Sequence, residues 1–171
     1  MNKKKVNLSE YDIHAIPDAS QMRFGIVVSE WNNEITFALC QGAVDTLKKH
    51  GAKEENIEIH YVPGSFELPL AAQYLAEADE VDAIICLGCV IQGETRHFEF
   101  ICQAVAEGIT RVGLDWNSPI IFGVLTPDNW QQAKDRAGGK HGNKGDEAAI
   151  TAIKMLALKN KVLDDPLSDQ L

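Results

Sequence analysis

Four short apolar runs along the chain are typical of β-strands. They are rich in Ile, Val and Leu, and they span residues 23–29, 57–62, 83–91 and 120–125. The first run, RFGIVVS, has the continuous apolar character of a strand that is covered on both faces of a sheet. These runs predict four strands.

Segments with the apolar spacing or the composition of helices lie between and after these runs. They comprise a first helix that ends near His50, and then residues 68–78, 98–108, 130–137 and 146–159. Asn32 and Asn33 can cap the first helix, and Gly51 supplies its stop. Strands and helices therefore alternate four times along the chain.

This alternation predicts an α/β fold, a three-layer αβα sandwich around a four-stranded parallel sheet with right-handed crossovers. We assign residues 23–160 to this single domain, residues 1–22 to an N-terminal arm and residues 161–171 to a C-terminal tail. Within the arm, the segment LSEYDIHAI can be extended and can add to the sheet edge of a neighbouring subunit.

The predicted sheet also predicts where ligands bind. Parallel sheets bind ligands beyond the carboxyl ends of their strands. The segments that follow the strands should therefore share one edge, which we call the rim, and they are residues 29–32, 63–67, 89–97 and 125–128.

The composition narrows the classes of function. The 171 residues carry a net charge of −9, whereas proteins that bind nucleic acid need clustered Lys and Arg. The basic run Lys3-Lys4-Lys5 is interpreted as a solvated tail. Membrane spans need roughly 20 apolar residues, and secreted chains need an apolar segment that the start MNKKKVNLSE lacks. We therefore expect a cytoplasmic protein that binds neither nucleic acid nor a membrane.

Cys86 and Cys89 match a C-x-x-C pattern, which raises a redox or metal hypothesis. A redox pair normally sits at a helix N-terminus, where the thiolate is stabilised. This pair lies inside an apolar strand, where residues three apart point to opposite faces. The sequence has no second Cys/His cluster at zinc spacing. A structural role for these cysteines is favoured.

His97 is the strongest candidate for a residue that transfers protons. It ends the segment GETRH, residues 93–97, where the third helix is predicted to begin. A helix N-terminus offers N–H groups and positive dipole character to an anion. A histidine at that point can exchange protons near neutral pH. A capping role for His97 is the alternative.

Other residues near the rim carry weaker signals. The glycine run 138–145 can cradle a phosphate, although it does not match the Walker A motif, and a flexible connection is equally consistent with it. Arg136 and Lys140 place positive charge beside this run. Trp31 can stack on a planar ligand or belong to the core or surface. The turn 64–67 exposes a hydroxyl and a carboxylate that can bond a polyol or favour the next helix N-terminus.

Five motifs in order resemble one enzyme family. They are VSEWN (28–32), VPGSFELP (62–69), GETRHF (93–98), FGVLT (122–126) and the run from RAGGK to GNKG (136–145). From about Arg23 to Leu158 the chain is similar to the 6,7-dimethyl-8-ribityllumazine synthase family of riboflavin synthesis. The resemblance implies condensation of 5-amino-6-(D-ribitylamino)uracil with 3,4-dihydroxy-2-butanone 4-phosphate, which releases phosphate and water. It implies neither a cofactor nor a metal.

The resemblance also implies a role for each residue of the site. His97 would be the proton-transfer residue. The phosphate of the butanone substrate would be bound by Glu94, Thr95, Arg136 and Lys140. The aminouracil would be bound by Trp31, Ser65, Phe66, Glu67, Cys89 (through its backbone), Val90, Ile91 and, from the adjacent subunit, Phe122. Gln92 stands where many relatives carry Lys or Arg, which removes one cation near the phosphate.

The resemblance further implies an assembly. Family sites lie between the subunits of a homo-pentamer, and relatives with a short glycine run often build icosahedral shells of 60 subunits from twelve pentamers. An association with riboflavin synthase belongs to the same expectation. The alternatives are a flavin- or lumazine-binding or shell-forming homologue without catalysis, and a redox protein that uses Cys86 and Cys89. His97, Arg136 and Lys140 favour catalysis.

Overall fold

Four parallel strands form the central sheet. The computed structural model describes residues 7–163. The strands are β1 (Phe24–Ser29), β2 (Ile57–Val62), β3 (Ala83–Cys89) and β4 (Ile120–Leu125). They lie in the order β2-β1-β3-β4, and every neighbouring pair is parallel. Each residue of the two central strands, β1 and β3, is buried, which explains their continuous apolar runs.

Helices cover both faces of this sheet. They are α1 (Asn33–Lys49), α2 (Leu68–Ala78), α3 (His97–Asp115), α4 (Trp130–Lys134) and α5 (Lys144–Leu163). Helices α1 and α5 enclose one apolar core with Ile85 and Leu87, and helices α2 and α3 enclose the other with Ile84 and Cys86. The alternation along β3 is the two-residue period of a strand. The predicted three-layer αβα sandwich is confirmed.

The third helix is longer than the sequence predicts. We predicted its end at Gly108, but α3 continues to Asp115. A Cβ atom at Gly108 would lie 2.8 Å from the side chain of Pro69. The glycine therefore permits close packing of α3 on α2 and does not end the helix, so the prediction was wrong there.

The region after β4 also differs from the prediction. The short helix predicted for residues 130–137 ends at Lys134. It is followed by two short antiparallel strands, β5 (Ala137–Gly139) and β6 (Gly142–Asn143), which we call the glycine hairpin. Gly138 and Gly142 have φ values of +98° and +79°, which non-glycine residues rarely adopt. The glycine run is thus a hairpin with a defined turn that connects α4 to α5.

Asn32 does not cap α1 through its side chain. It adopts a left-handed conformation with φ of 58°, and its side-chain nitrogen donates to the backbone oxygen of Cys89 at 2.9 Å. Asn32 therefore occupies the predicted N-cap position of α1, but its side chain joins the end of β1 to the end of β3 instead of capping the helix.

The ends of the described chain refine the predicted arm and tail. Asp12 caps a single 3-10 turn at Ile13–Ala15, so the arm is not extended there. Helix α5 runs to Leu163, three residues into the segment assigned to the tail, and the rest of that segment lies outside the described residues, as does Lys3-Lys4-Lys5. No helix between residues 7 and 163 has the length and apolar character required to cross a membrane.

Ser29 has a buried hydroxyl whose oxygen makes no hydrogen bond within the described chain. A buried group of this kind lowers the free energy of unfolding by about 1–3 kcal/mol. We therefore expect Ser29→Ala to raise the free energy of unfolding by about 1 kcal/mol, measured by urea denaturation.

The matched control for this prediction is Thr36→Val. The Thr36 hydroxyl donates to the Ser29 carbonyl oxygen at 2.6 Å in the same buried region. Its removal should lower the free energy of unfolding by about 1 kcal/mol. If Ser29→Ala were destabilising to the same extent, the Ser29 hydroxyl would have a partner, and the prediction would be wrong.

Candidate active site

The segments that follow the four strands meet along one edge of the sheet. After β1, the Trp31 nitrogen donates to the Pro63 oxygen at 3.1 Å, beyond the end of β2. After β3, the Val90 nitrogen donates to the Leu125 oxygen at 2.8 Å, at the end of β4. With the Asn32 bond to β3, these contacts join all four exits. The rim predicted from the sequence is confirmed.

An exposed aromatic pair lies at the β1 and β2 end of the rim. Trp31 is 73 % exposed, and Phe66 is 57 % exposed on the turn after β2. The Glu67 carboxylate accepts from the Gly64 nitrogen at 3.0 Å and fixes this turn. A Cβ atom on Gly64 would lie 3.3 Å from the Trp31 ring, so the ring packs beside the turn. Two aromatic faces are therefore free to receive a planar ligand.

The Ser65 side chain lies under the same turn. It is buried, and its hydroxyl oxygen is 2.5 Å from the position of a Cβ atom on Gly88. The missing side chain at Gly88 therefore leaves space for the Ser65 hydroxyl over β3. The residues that follow β3, Val90 and Ile91, are half-buried beside it. The aminouracil residues predicted near β1, β2 and β3 thus share one part of the rim.

Helix α3 begins at His97, as the sequence predicts. The His97 side chain is exposed, and its backbone nitrogen lies 3.4 Å from the hydroxyl oxygen of Thr95, which accepts its hydrogen bond. Residues 93–96 are exposed ahead of the helix. A helix of 19 residues carries partial positive charge at its N-terminus, which attracts anions. An ionisable imidazole and a site for an anion therefore lie side by side.

Arg136 lies in a separate concave site beyond the end of β4. The site has a volume of about 280 Å³ and includes Thr126, Pro127 and Lys144. One guanidinium nitrogen of Arg136 donates to the Gln132 carbonyl oxygen at 3.0 Å. Within residues 7–163, no carboxylate oxygen lies within 4.0 Å of this guanidinium. Arg136 keeps donors for an anion.

Lys140 differs from Arg136 because it already has an acidic partner. Its amine lies 2.8 Å from the Asp135 carboxylate. The hydrogen bonds from Lys140 and then from Gln131 lower the pKa of Asp135. The carboxylate therefore remains ionised and balances the Lys140 charge. Of the two cations predicted to bind phosphate, Arg136 is the one whose charge has no acidic partner within residues 7–163.

Phe122 does not reach the rim of its own subunit. It lies in β4 opposite Cys86, three residues before Leu125 at the end of the strand. At roughly 3.3 Å per residue, this places it about 10 Å from the rim. Its side chain is 38 % exposed on an edge strand. This position leaves the ring accessible to another subunit.

A concavity of about 560 Å³ lies away from the rim. It lies between the C-terminal ends of α3 and α5 and includes Pro119 and Ile120, at the amino end of β4.

Cys86 and Cys89 cannot act as a redox pair in this fold. They lie in different cores, on opposite faces of β3, and both are free thiols. Burial raises the pKa of each thiol to about 12, so neither forms the reactive thiolate near neutral pH. The structural interpretation agrees with these positions.

Thiol labelling checks this conclusion. We expect Cys86 and Cys89 to resist iodoacetamide at pH 8 in the folded protein, whereas the half-buried Cys102 reacts faster. In denaturant all three should react at similar rates. Tandem mass spectrometry of tryptic peptides gives the rate for each residue, since fragmentation separates Cys86 from Cys89 on their shared peptide. Fast modification of Cys86 or Cys89 in the folded state would contradict the prediction.

Comparisons with known proteins identify the family of this chain. The model of the 6,7-dimethyl-8-ribityllumazine synthase family matches residues 21–160. The chain belongs to this family. The 6,7-dimethyl-8-ribityllumazine synthase of Cytophaga hutchinsonii is 64 % identical over 157 residues, which cover 92 % of this chain and 98 % of the relative. The corresponding synthase of Parabacteroides distasonis is 59 % identical over 150 residues, which cover 88 % and 94 %.

Most of the residues predicted for the site fall into three groups on this lumazine synthase fold. Trp31 and the turn 63–67 form one group, the start of α3 forms the second, and Arg136 with the glycine hairpin forms the third. Sequence reasoning missed Asn32 as the link between β1 and β3. Its signal was an asparagine three residues after the end of a buried strand and directly before a helix, where asparagine adopts the left-handed conformation as well as caps helices.

Proposed function

We propose that the rim is the active site at which this enzyme condenses 5-amino-6-(D-ribitylamino)uracil with 3,4-dihydroxy-2-butanone 4-phosphate. Membership of the family makes the protein a transferase of riboflavin biosynthesis that forms 6,7-dimethyl-8-ribityllumazine, phosphate and water. The observation that supports the site most directly is the exposed His97 at the first residue of α3, next to an anion-binding helix N-terminus.

The aminouracil binds at the β1, β2 and β3 end of the rim in this proposal. The exposed Trp31 and Phe66 rings contact the planar pyrimidinedione. Ser65, Glu67 and the backbone after β3 bind the ribityl chain and the ring. Stacking and hydrogen bonds together hold the substrate amine in a fixed orientation toward the ketone, which removes most of the entropy loss from the reaction step.

The phosphate of the second substrate binds at the start of α3 and at Arg136. The backbone N–H groups ahead of His97 and the Thr95 hydroxyl are donors there, and the Arg136 guanidinium adds a charge-assisted bond. Glu94 and Lys140 complete the proposed group. This arrangement stabilises the charge that develops when phosphate leaves.

His97 transfers protons during the condensation. The substrate's own amine attacks the ketone carbon, so the Schiff base forms without an enzyme lysine. One water leaves when the carbinolamine hydroxyl receives a proton, and removal of a carbon-bound proton then expels phosphate. The ribitylamino nitrogen closes the ring on the remaining carbonyl carbon, loses its proton, and a second water leaves. The imidazole of a histidine can both donate and accept a proton. Cofactor and metal are not needed for these steps.

The site is completed by a second subunit in a homo-pentamer. Phe122 lies away from its own rim and is accessible at the sheet edge, which supports its use in a neighbouring site. Exposed apolar side chains at Phe100, Leu114 and Trp116 of the α3 segment supply a surface for subunit contacts. A shell of twelve pentamers, an arm that adds to a neighbouring sheet and association with riboflavin synthase remain predictions. A cytoplasmic location likewise remains a prediction.

Product formation tests this proposal. Purified protein is incubated with both substrates, and 6,7-dimethyl-8-ribityllumazine is followed by its absorbance and fluorescence. We expect product that requires both substrates. Lumazine or flavin binding without product would favour the non-catalytic homologue and reject the proposal. Native mass spectrometry of the same sample tests the pentamer, which predicts subunits in multiples of five.

A further inference from the structure

The N-terminal strap, residues 7–9, lies on the glycine hairpin of its own subunit. The Leu8 nitrogen donates to the His141 oxygen at 2.7 Å, in the turn of the hairpin. The Ser9 hydroxyl oxygen accepts from the Asn143 nitrogen at 2.9 Å, in β6. The Asn7 side-chain oxygen accepts from the Ser9 nitrogen at 3.0 Å and fixes the shape of the strap. The strap therefore holds both the turn and the second strand.

Gly142 permits this contact. It has φ of +79°, and a Cβ atom there would lie 2.7 Å from the Ser9 nitrogen. A side chain at this position would push the strap away from the hairpin. The sequence suggested that Gly142 belongs to a phosphate cradle. Its close contact with the strap explains instead why a glycine is needed at this position.

The hairpin in turn holds the backbone of Arg136. The Lys144 nitrogen, directly after β6, donates to the Arg136 oxygen at 2.8 Å. Asn143 is buried, and its side chain bonds to the Ala38 oxygen at 3.0 Å and to the Gly145 nitrogen at 2.7 Å. A displacement of the Asn143 backbone would therefore also displace Lys144 and, through the hydrogen bond between their backbones, Arg136.

The strap also borders the concave site that contains Arg136. Leu8 forms part of its wall, together with Pro127 and Gln132. Gln132 is the residue whose carbonyl oxygen orients the Arg136 guanidinium. The strap therefore affects the Arg136 site in two ways. It holds the hairpin that bonds to the Arg136 backbone, and Leu8 itself lines the concave site.

We propose that the strap positions Arg136 for the phosphate of the butanone substrate, with Ser9 as the positioning residue. This inference rests on the proposed function, in which Arg136 binds that phosphate. The Ser9 hydroxyl does not touch the substrate. It fixes the position of the hairpin backbone. The Arg136 guanidinium is therefore already placed to bind the phosphate, and no reorganisation is needed on binding.

Ser9→Ala tests the inference because it removes the acceptor for the Asn143 nitrogen. We expect KM for the butanone phosphate and Kd for inorganic phosphate to rise about fivefold, the effect of one lost hydrogen bond. KM for the aminouracil should stay unchanged, and kcat should fall by no more than the same factor, because Arg136 also stabilises the charge on the leaving phosphate. Ser9→Thr keeps the hydroxyl and should restore both phosphate constants. The matched control is Ser20→Ala, since the Ser20 hydroxyl bonds to Asp18 in the same arm.

Three results would overturn the inference. The first is unchanged phosphate constants in Ser9→Ala. The second is a lower Tm with equal losses in every kinetic constant, which would indicate a structural role only. The third is phosphate binding that survives Arg136→Ala undiminished. Calorimetry with inorganic phosphate needs no turnover, so failure of the inference is distinguishable from failure of the wild-type protein to form lumazine.

Discussion

Replacing His97 with alanine should lower kcat by about 10²–10⁴-fold, the usual contribution of a positioned general acid–base group. Both KM values should change little, because the phosphate and aminouracil contacts come from other residues. The His97 side chain is exposed at the first residue of α3, so its removal should shift the free energy of unfolding by less than about 0.5 kcal/mol. Single-turnover kinetics with both substrates measure the chemical step directly.

The matched control for His97→Ala is His14→Ala. His14 is also exposed, but it lies in the single 3-10 turn of the N-terminal arm. Its loss should leave kcat unchanged. Near-normal single-turnover rates in His97→Ala would remove this histidine from the mechanism, and the proton transfers would then belong to another group or to solvent.

Gly145→Ala should have the largest effect on stability. Gly145 lies in the first turn of α5, and a Cβ atom there would collide with the backbone oxygen of Leu39 in α1. A backbone atom in a packed core cannot move aside as a side chain can. Overpacking of this kind typically costs about 1–3 kcal/mol and sometimes more. We expect a loss of at least about 3 kcal/mol, measured by urea denaturation or as failure to recover folded protein.

Gly93→Ala is the control for this substitution. No heavy atom lies within 4 Å of a Cβ atom at Gly93, so the added methyl group would contact no other residue. Its free energy of unfolding should stay within about 0.5 kcal/mol of the wild-type value. Equal stability of the two variants would mean that α1 and α5 are not packed as closely as described.

Clear boundary signals account for the parts of the fold that the sequence predicts. Strand β2, helix α2 and strand β4 match their predicted residues, and the turn at Pro63 and Gly64 marks the boundary after β2. The structural roles of Gly108 and of the glycine run 138–145 were harder to predict from the sequence. A glycine ends a helix, permits close packing or forms a tight turn, and only the tertiary contacts of Pro69 or the strap decide which.

The candidate site was predictable where a residue lies next to a strand or helix end. His97 and Trp31 were placed by the order of elements alone, since the exits of parallel strands share one edge. The strap was not predictable. Its bonds join residues up to 134 positions apart, and the serine and asparagine that make them have no local pattern. The roles of individual residues toward the two substrates remain predictions.

The packing of the first helix on the last has a consequence for synthesis on the ribosome. Leu39 and Ala43 of α1 share a core with Ala149 and Ile153 of α5. Roughly 100 residues separate these helices, and the ribosome adds about 5–20 residues per second. Helix α5 is therefore synthesised on the order of 5–20 s after α1, and only then can it pack on α1. During that time the apolar face of α1 is open to chaperones or to other nascent chains. Translation that stops before α5 should therefore give an aggregation-prone product instead of a smaller folded domain.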